Sequence, residues 1–173
     1  MADPVTEFES YRNELLDLLG DRDPLDVLAH TPRRIEERLK GIDETLLSRR
    51  PGEGAWSVKE VLGHLGDTEW VHGYRLRIML SHEGPAIAGY DQDVMVRGMA
   101  HNDRPISMLL EELRRLRGLN LDLYLRTRGP AWERRGIHSE RGEESVGLTI
   151  ELLAGHDLRH FDQLERTLTG LGA

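Results

Sequence analysis

Apolar side chains recur along this chain at three- and four-residue intervals, the spacing of one face of an α-helix. Residues 5–20 carry them at Phe8, Tyr11, Leu15, Leu18 and Leu19, and Gly20 suits the end of that helix. Turn-forming DRDP comes next, followed by a short helical piece over 24–30. Thr31-Pro32 reads as an N-cap with proline at the first helical position; Ile35, Leu39, Ile42 and Leu46 then mark a helix to about residue 48. After the loop RRPGEG, Ser57 and Glu60 form a capping box that starts a helix running to about Leu80. Its inner side holds Glu60, Val61, His64, Thr68, Val71, Arg75 and Met79. Residues 82–104 are the least regular, with a short helix around 91–100.

A long helix over roughly 106–127 has a seam of Ile106, Leu109, Leu110, Leu113, Leu116, Leu119, Leu123 and Tyr124. Residues 128–144, charged and glycine-rich, read as a long loop anchored by Trp132, and a final helix covers about 145–169. No alternation is long enough to predict a strand. Four long amphipathic helices with shorter pieces imply an all-α bundle forming one domain over 1–173.

Composition narrows the function classes. With 38% apolar and 31% charged residues, the chain reads as a soluble globular domain. A net charge of −8, with arginines dispersed among carboxylates, opposes non-specific binding to nucleic acid. The run EELRRLR at 111–117 reads as a solvated helix face with intrahelical carboxylate partners. With no cysteine, disulfides, thiolate metal sites and a cysteine nucleophile are excluded, and thiol chemistry would need an external thiol. No apolar run reaches membrane-spanning length, and the N-terminus lacks a signal pattern, so cytoplasm is the expectation. The sequence carries no GxSxG elbow, phosphate-cradling loop or dinucleotide fingerprint.

Histidines are the informative residues. His156 and His160 stand one helical turn apart, so both imidazoles share a face and can share a metal. Alone, such a pair is a weak signal and reads more simply as two partly buried helix residues; His64, on the inner side of a firmly capped helix, strengthens the metal reading. Three imidazoles suit Zn²⁺, Ni²⁺ or Fe²⁺, and spacing does not choose among them. Such a set leaves coordination positions open, as catalytic sites do. Ligating imidazoles need their second N–H held by an acceptor, and Glu60, Asp67 and Gln163 are the candidates. Glu60 has its capping role and Asp67 a surface ion pair as the alternatives. Arg75 is a candidate for binding an anionic substrate group, with a salt bridge to another helix as its alternative. His72, rotated about 80° from His64, reads as a surface or interface residue, and His30, His82, His101 and His138 have no partner at ligand spacing.

The pattern Trp-Ser-x-x-Glu-x-x-x-His-Leu-x-Asp from Trp56 to Asp67, with His156-Asp157-x-x-His160, resembles the DinB-like superfamily. DPLDVLAHTPRRI, GYDQD and the Trp132…His138…Gly142…Ser145-Val146 approach to the last helix extend the likeness to nearly the whole chain. The resemblance implies a four-helix bundle with a long crossover and His64, His156 and His160 as ligands of nickel or zinc. It also implies a homodimer, and transfer or isomerisation chemistry on low-molecular-weight thiols and small-molecule substrates. A metal-dependent thiol S-transferase is therefore the leading expectation. A non-catalytic metal-binding stress or interaction protein and a metal-dependent hydrolase are the alternatives.

Overall fold

The computed structural model describes residues 8–173. Its elements are α1 (Phe8–Leu19), α2 (Pro24–Leu39), α3 (Glu44–Leu47), α4 (Val58–Ser81), β1 (Ala86–Ile87), α5 (Gln92–Met99), α6 (Ile106–Thr127), β2 (Arg135–His138), β3 (Gly142–Ser145) and α7 (Val146–Leu171). Residues 5–7 of the first predicted helix lie outside the described part. None of the described helices is long and apolar enough to cross a membrane.

Helices α2, α4, α6 and α7 form the bundle, and α1 packs on α7. Both α2 and α4 pack against α6 and α7. Consecutive bundle helices α2 and α4 therefore lie on opposite corners, and the connection through α3 crosses the end of the bundle. This is the crossover that the family resemblance implies, in place of simple up-down-up-down order.

The core is apolar at both ends. Leu25, Leu28, Leu76, Tyr124, Ile150 and Leu153 belong to one cluster; Ile35, Leu62, Leu65, Leu113, Leu164 and Leu168 belong to the other. Buried polar side chains, among them Glu69, Arg117, Asn120, Asp157 and the three histidines of interest, occupy these same helices.

Four sequence expectations change. First, α2 runs through Pro32 instead of starting there. Asp23 is its N-cap, accepting from Leu25 N at 2.9 Å with Pro24 in the first turn, while Thr31 is helical and donates to the Val27 carbonyl at 2.9 Å. The helix stops at Leu39 because Gly41 turns with φ +80° and Asp43 caps the separate α3. Second, the predicted loop 128–144 holds a hairpin. β2 pairs antiparallel with β3 (Arg135 opposite Ser145) and parallel with β1 (Ala86 opposite Ile137). No apolar alternation announces β2, because its inward positions are Gly136 and His138 while Ile137 points out. Gly136 is needed there: a Cβ would meet Ile87 at 2.9 Å and Met79 at 3.0 Å.

Third, Arg114 and Arg115 do pair with Glu111 on the solvated face of α6, but Arg117 is only 2% exposed. Fourth, Leu119, assigned to the seam, is 65% exposed, because Arg117 and Asn120 hold the inward positions of that turn.

Candidate metal centre

Local sequence places each imidazole. Ser57 Oγ accepts from Glu60 N at 3.1 Å and Glu60 Oε2 accepts from Ser57 N at 2.9 Å, which sets the start of α4 and hence the bearing of His64. Ser145 caps α7, accepting from Leu148 N at 3.1 Å, and the helix then carries His156 and His160 on one face. Close packing around them depends on two glycines. A Cβ at Gly63 would come 2.2 Å from the His101 ring, and one at Gly155 would come 2.2 Å from the Leu15 carbonyl oxygen. Each thus precedes a cluster histidine and lets a neighbouring element close on it.

His64, His156 and His160 are all buried, and one nitrogen from each lies within 4.8 Å of the others. His64 Nε2 is 3.0 Å from His156 Nε2. Two nitrogens bound to one ion at ordinary bond lengths stand about 3 Å apart at a right angle and somewhat farther at a tetrahedral one. Burial, with neighbouring imidazoles adding to it, pushes the pKa of His64 and His156 well below the usual histidine value. Burial likewise lowers His160 to about 4, partly opposed by Gln163. All three are neutral at pH 7, each with one lone pair to give. His160 Nδ1–H donates to Gln163 Oε1 at 2.8 Å, leaving the Nε2 lone pair free. His64 Nδ1 and His156 Nδ1 are buried without a hydrogen-bond partner among the described residues. A neutral, buried nitrogen triad of this kind fits a divalent cation of the sort imidazole ligands favour. Trp56 covers the triad: its ring is 4.9 Å from His64 and lies parallel to His160 at 6.0 Å, with Nε1 donating to Asp93 at 3.0 Å.

The other candidates are placed as follows. Glu60 accepts from Arg50 as well as from Ser57 N, so both its oxygens are occupied away from the triad. Asp67 accepts from His101 Nε2 at 2.9 Å and makes no bond to His64. It serves a buried histidine instead of the surface ion pair expected for it. Arg75 forms no salt bridge with a described residue; it donates to the Ala88 carbonyl and faces the Tyr90 ring.

Two hollows flank the triad. His156 lines a cavity of about 460 Å³, shared with Tyr11, Thr68, His72, Arg75, Tyr90 and His138. His160 and Gln163 line another of about 360 Å³, beside Trp56 and Arg166. His72 and His138 are thus cavity residues, not surface or loop ones. Burial lowers His138 to about 4 and His72 well below the usual value. Their placement had no local signal, since β2 carries His138 inward and the bundle, not helix spacing, surrounds His72.

Arg117, a solvated-face residue by sequence, is instead central to the bundle. From α6 it donates to Glu69 on α4 at 2.9 Å, to both oxygens of Asp157 on α7 at 2.7 and 3.0 Å, and to the Leu28 carbonyl on α2 at 2.7 Å. One guanidinium therefore ties together the four bundle helices, beside His156.

Comparison with known proteins agrees with this architecture. The DinB superfamily model matches residues 28–164. A protein of Oceanobacillus iheyensis, OB0782, is 26% identical over 158 residues, covering 91% of this chain and 90% of its own. YfiT of Bacillus subtilis is 25% identical over 151 residues, covering 83% of each chain. Both are provisionally named metal-dependent hydrolases. The solved structure of YfiT, described as having an unusual four-helix bundle topology, aligns with a TM-score of 0.78 at 22% identity over 86% of each chain.

Proposed function

The chain belongs to the DinB superfamily, and we propose that it is a metal-dependent enzyme that transfers an external low-molecular-weight thiol to a small molecule. In this reading His64, His156 and His160 hold one divalent cation, nickel or zinc, and the substrate occupies the adjoining cavity. The observation that carries the reading is the triad itself: three neutral, buried imidazoles gathered where α4 meets α7, one of them lining a cavity of about 460 Å³. A cation held by three imidazoles offers its remaining positions as a Lewis acid, lowering the pKa of a thiol brought there. The chain has no cysteine, so the thiol comes from outside. The residues of the site bind and shield: Gln163 orients His160, Trp56 covers the imidazoles, and Tyr11, Tyr90 and Leu152 wall the cavity. A site lining an open cavity favours catalysis over a purely structural metal.

A second reading, metal-dependent hydrolysis, is favoured by the provisional names of OB0782 and YfiT. A cation by itself lowers the pKa of bound water, and a carboxylate base within hydrogen-bond reach would further favour this reading. Glu60, the nearest sequence candidate, is committed to Ser57 and Arg50, and no described carboxylate bonds a triad imidazole. Hydrolysis thus has no carboxylate base among these contacts, which favours thiol transfer as the first reading.

Elemental analysis of protein purified without chelator or affinity tag should find about one nickel or zinc per chain, absent after triple replacement of His64, His156 and His160. The loaded protein should then consume a thiol and an alkyl halide together, forming the C–S bond and releasing halide and a proton. Metal-dependent ester hydrolysis that ignores added thiol would replace this reading with the second.

A further inference from the structure

One buried cation in the cavity makes no ion pair with a described carboxylate, although Glu144 and Glu140 lie near enough to act on it through space. Arg75 is 5% exposed, yet it pairs with no described carboxylate; its protein contacts are the Ala88 carbonyl and the Tyr90 ring, 5.4 Å from Cζ. A guanidinium carries five N–H donors, and the one hydrogen bond seen to a described residue leaves this one's other donors facing the cavity's contents. Burying an unpaired charge is costly, and the usual remedy, a neighbouring carboxylate, has gone elsewhere. Arg141, on the same cavity wall, takes both oxygens of Glu144, at 2.6 and 2.9 Å. Asp91 caps α5 through Val94 N at 2.9 Å, and Asp93 accepts from Trp56. Glu140 is exposed, packed against Gly89, and forms no ion pair with either arginine.

We propose that Arg75 anchors the anionic end of an elongated, carboxylate-bearing small molecule whose other end reaches the triad. Planar and bidentate, a carboxylate matches the free edge of a guanidinium. The molecule's body carries an apolar or aromatic portion, because Tyr11, Tyr90, Leu152 and Leu153 share the cavity wall with its polar side chains. Its length follows from α4. His64 and Arg75 lie eleven residues apart on this helix, which separates their backbones by about 16 Å, with Thr68 and His72 on the turns between. The assignment of the far end rests on the triad being the reactive centre; the anchor itself does not.

The test compares 4-phenylbutyrate with its neutral amide, 4-phenylbutanamide, titrated into the metal-loaded protein and followed by NMR. Wild type should bind the acid about tenfold more tightly than the amide or better, the scale of a charge-assisted contact. Arg75→Met should remove the preference while leaving metal content unchanged, and Arg75→Lys should retain part of it. Equal binding of acid and amide by wild type overturns the proposal without any variant, which covers the case of a poorly folded Arg75→Met. A preference that survives Arg75→Met but disappears on triad substitution puts the anion at the triad, and also overturns it. An Arg75-dependent preference in protein that holds no metal supports the anchor while removing the metal-enzyme reading.

Discussion

Pro32 has no N–H to give the Leu28 carbonyl one turn back in α2, and Arg117 donates to that carbonyl instead, from Nη1 at 2.7 Å. A proline inside a helix leaves a buried acceptor open, which is expensive unless something fills it. Here the filler also pairs with Glu69 and Asp157, both fully buried. Asp157 lies next to His156, so the same contact steadies the backbone that presents two of the three imidazoles. Both carboxylates hold the guanidinium charged, shifting its pKa upward despite burial.

Arg117→Met should therefore destabilise the protein by about 3–5 kcal/mol, since it strands two buried carboxylates and reopens the Leu28 carbonyl. Urea denaturation reads this directly, and a loss under about 1 kcal/mol would mean the network holds nothing. Pro32→Ala should change stability by less than about 1 kcal/mol, because a carbonyl can accept both a restored N–H and Arg117.

Metal retention should separate the polar residues around the triad. His160→Ala should abolish tight binding with helicity intact. Gln163→Leu, which frees His160 Nδ1, should weaken affinity about 10–100-fold. Asp67→Asn should leave affinity unchanged, since its partner is His101. Competition with a chromophoric chelator measures all three, and weakened binding in Asp67→Asn would return that carboxylate to the triad.

Stability of the metal-free protein should fall with acid. His138 and His160 titrate near 4 in the fold, whereas unfolded histidine titrates near 6.5. Between those values the unfolded chain binds more protons, so stability rises with pH across this window and is full above it. Burial of His64, His72 and His156 acts with the same sign. Urea midpoints for chelator-treated protein at pH 7.5, 6 and 5 should decline in order; a flat series would show these histidines to be solvated.

Glycine replacements should divide by what a Cβ meets. Gly155→Ala drives a methyl to 2.2 Å from the Leu15 carbonyl oxygen, which is backbone and cannot swing aside. About 1–3 kcal/mol should be lost as α1 is pushed from α7. Gly118→Ala, in α6 with open space around it, should gain roughly 0.5–1 kcal/mol. Thermal melts of the pair check the contrast, and similar shifts in both would sink it.

The sequence by itself determined the long helices α4, α6 and α7 and the pairing of His156 with His160. Those features rest on short-range physics: the Ser57–Glu60 box and a three-to-four-residue period that any segment carries with it. It also marked His64 as inward, because a firm cap sets the bearing of every later residue on that helix. Only the tertiary structure decided the rest. Pro32 is a start signal in a local reading, and it sits mid-helix because a guanidinium from 85 positions later in the chain satisfies the carbonyl it leaves bare. Arg117 reads as solvated until Glu69 and Asp157, from two other helices, surround it. His138 reads as a loop residue until β1 and β3 hold its strand against the bundle. In each case the residue's environment is supplied by distant segments, and no property of its own neighbourhood in the chain encodes it.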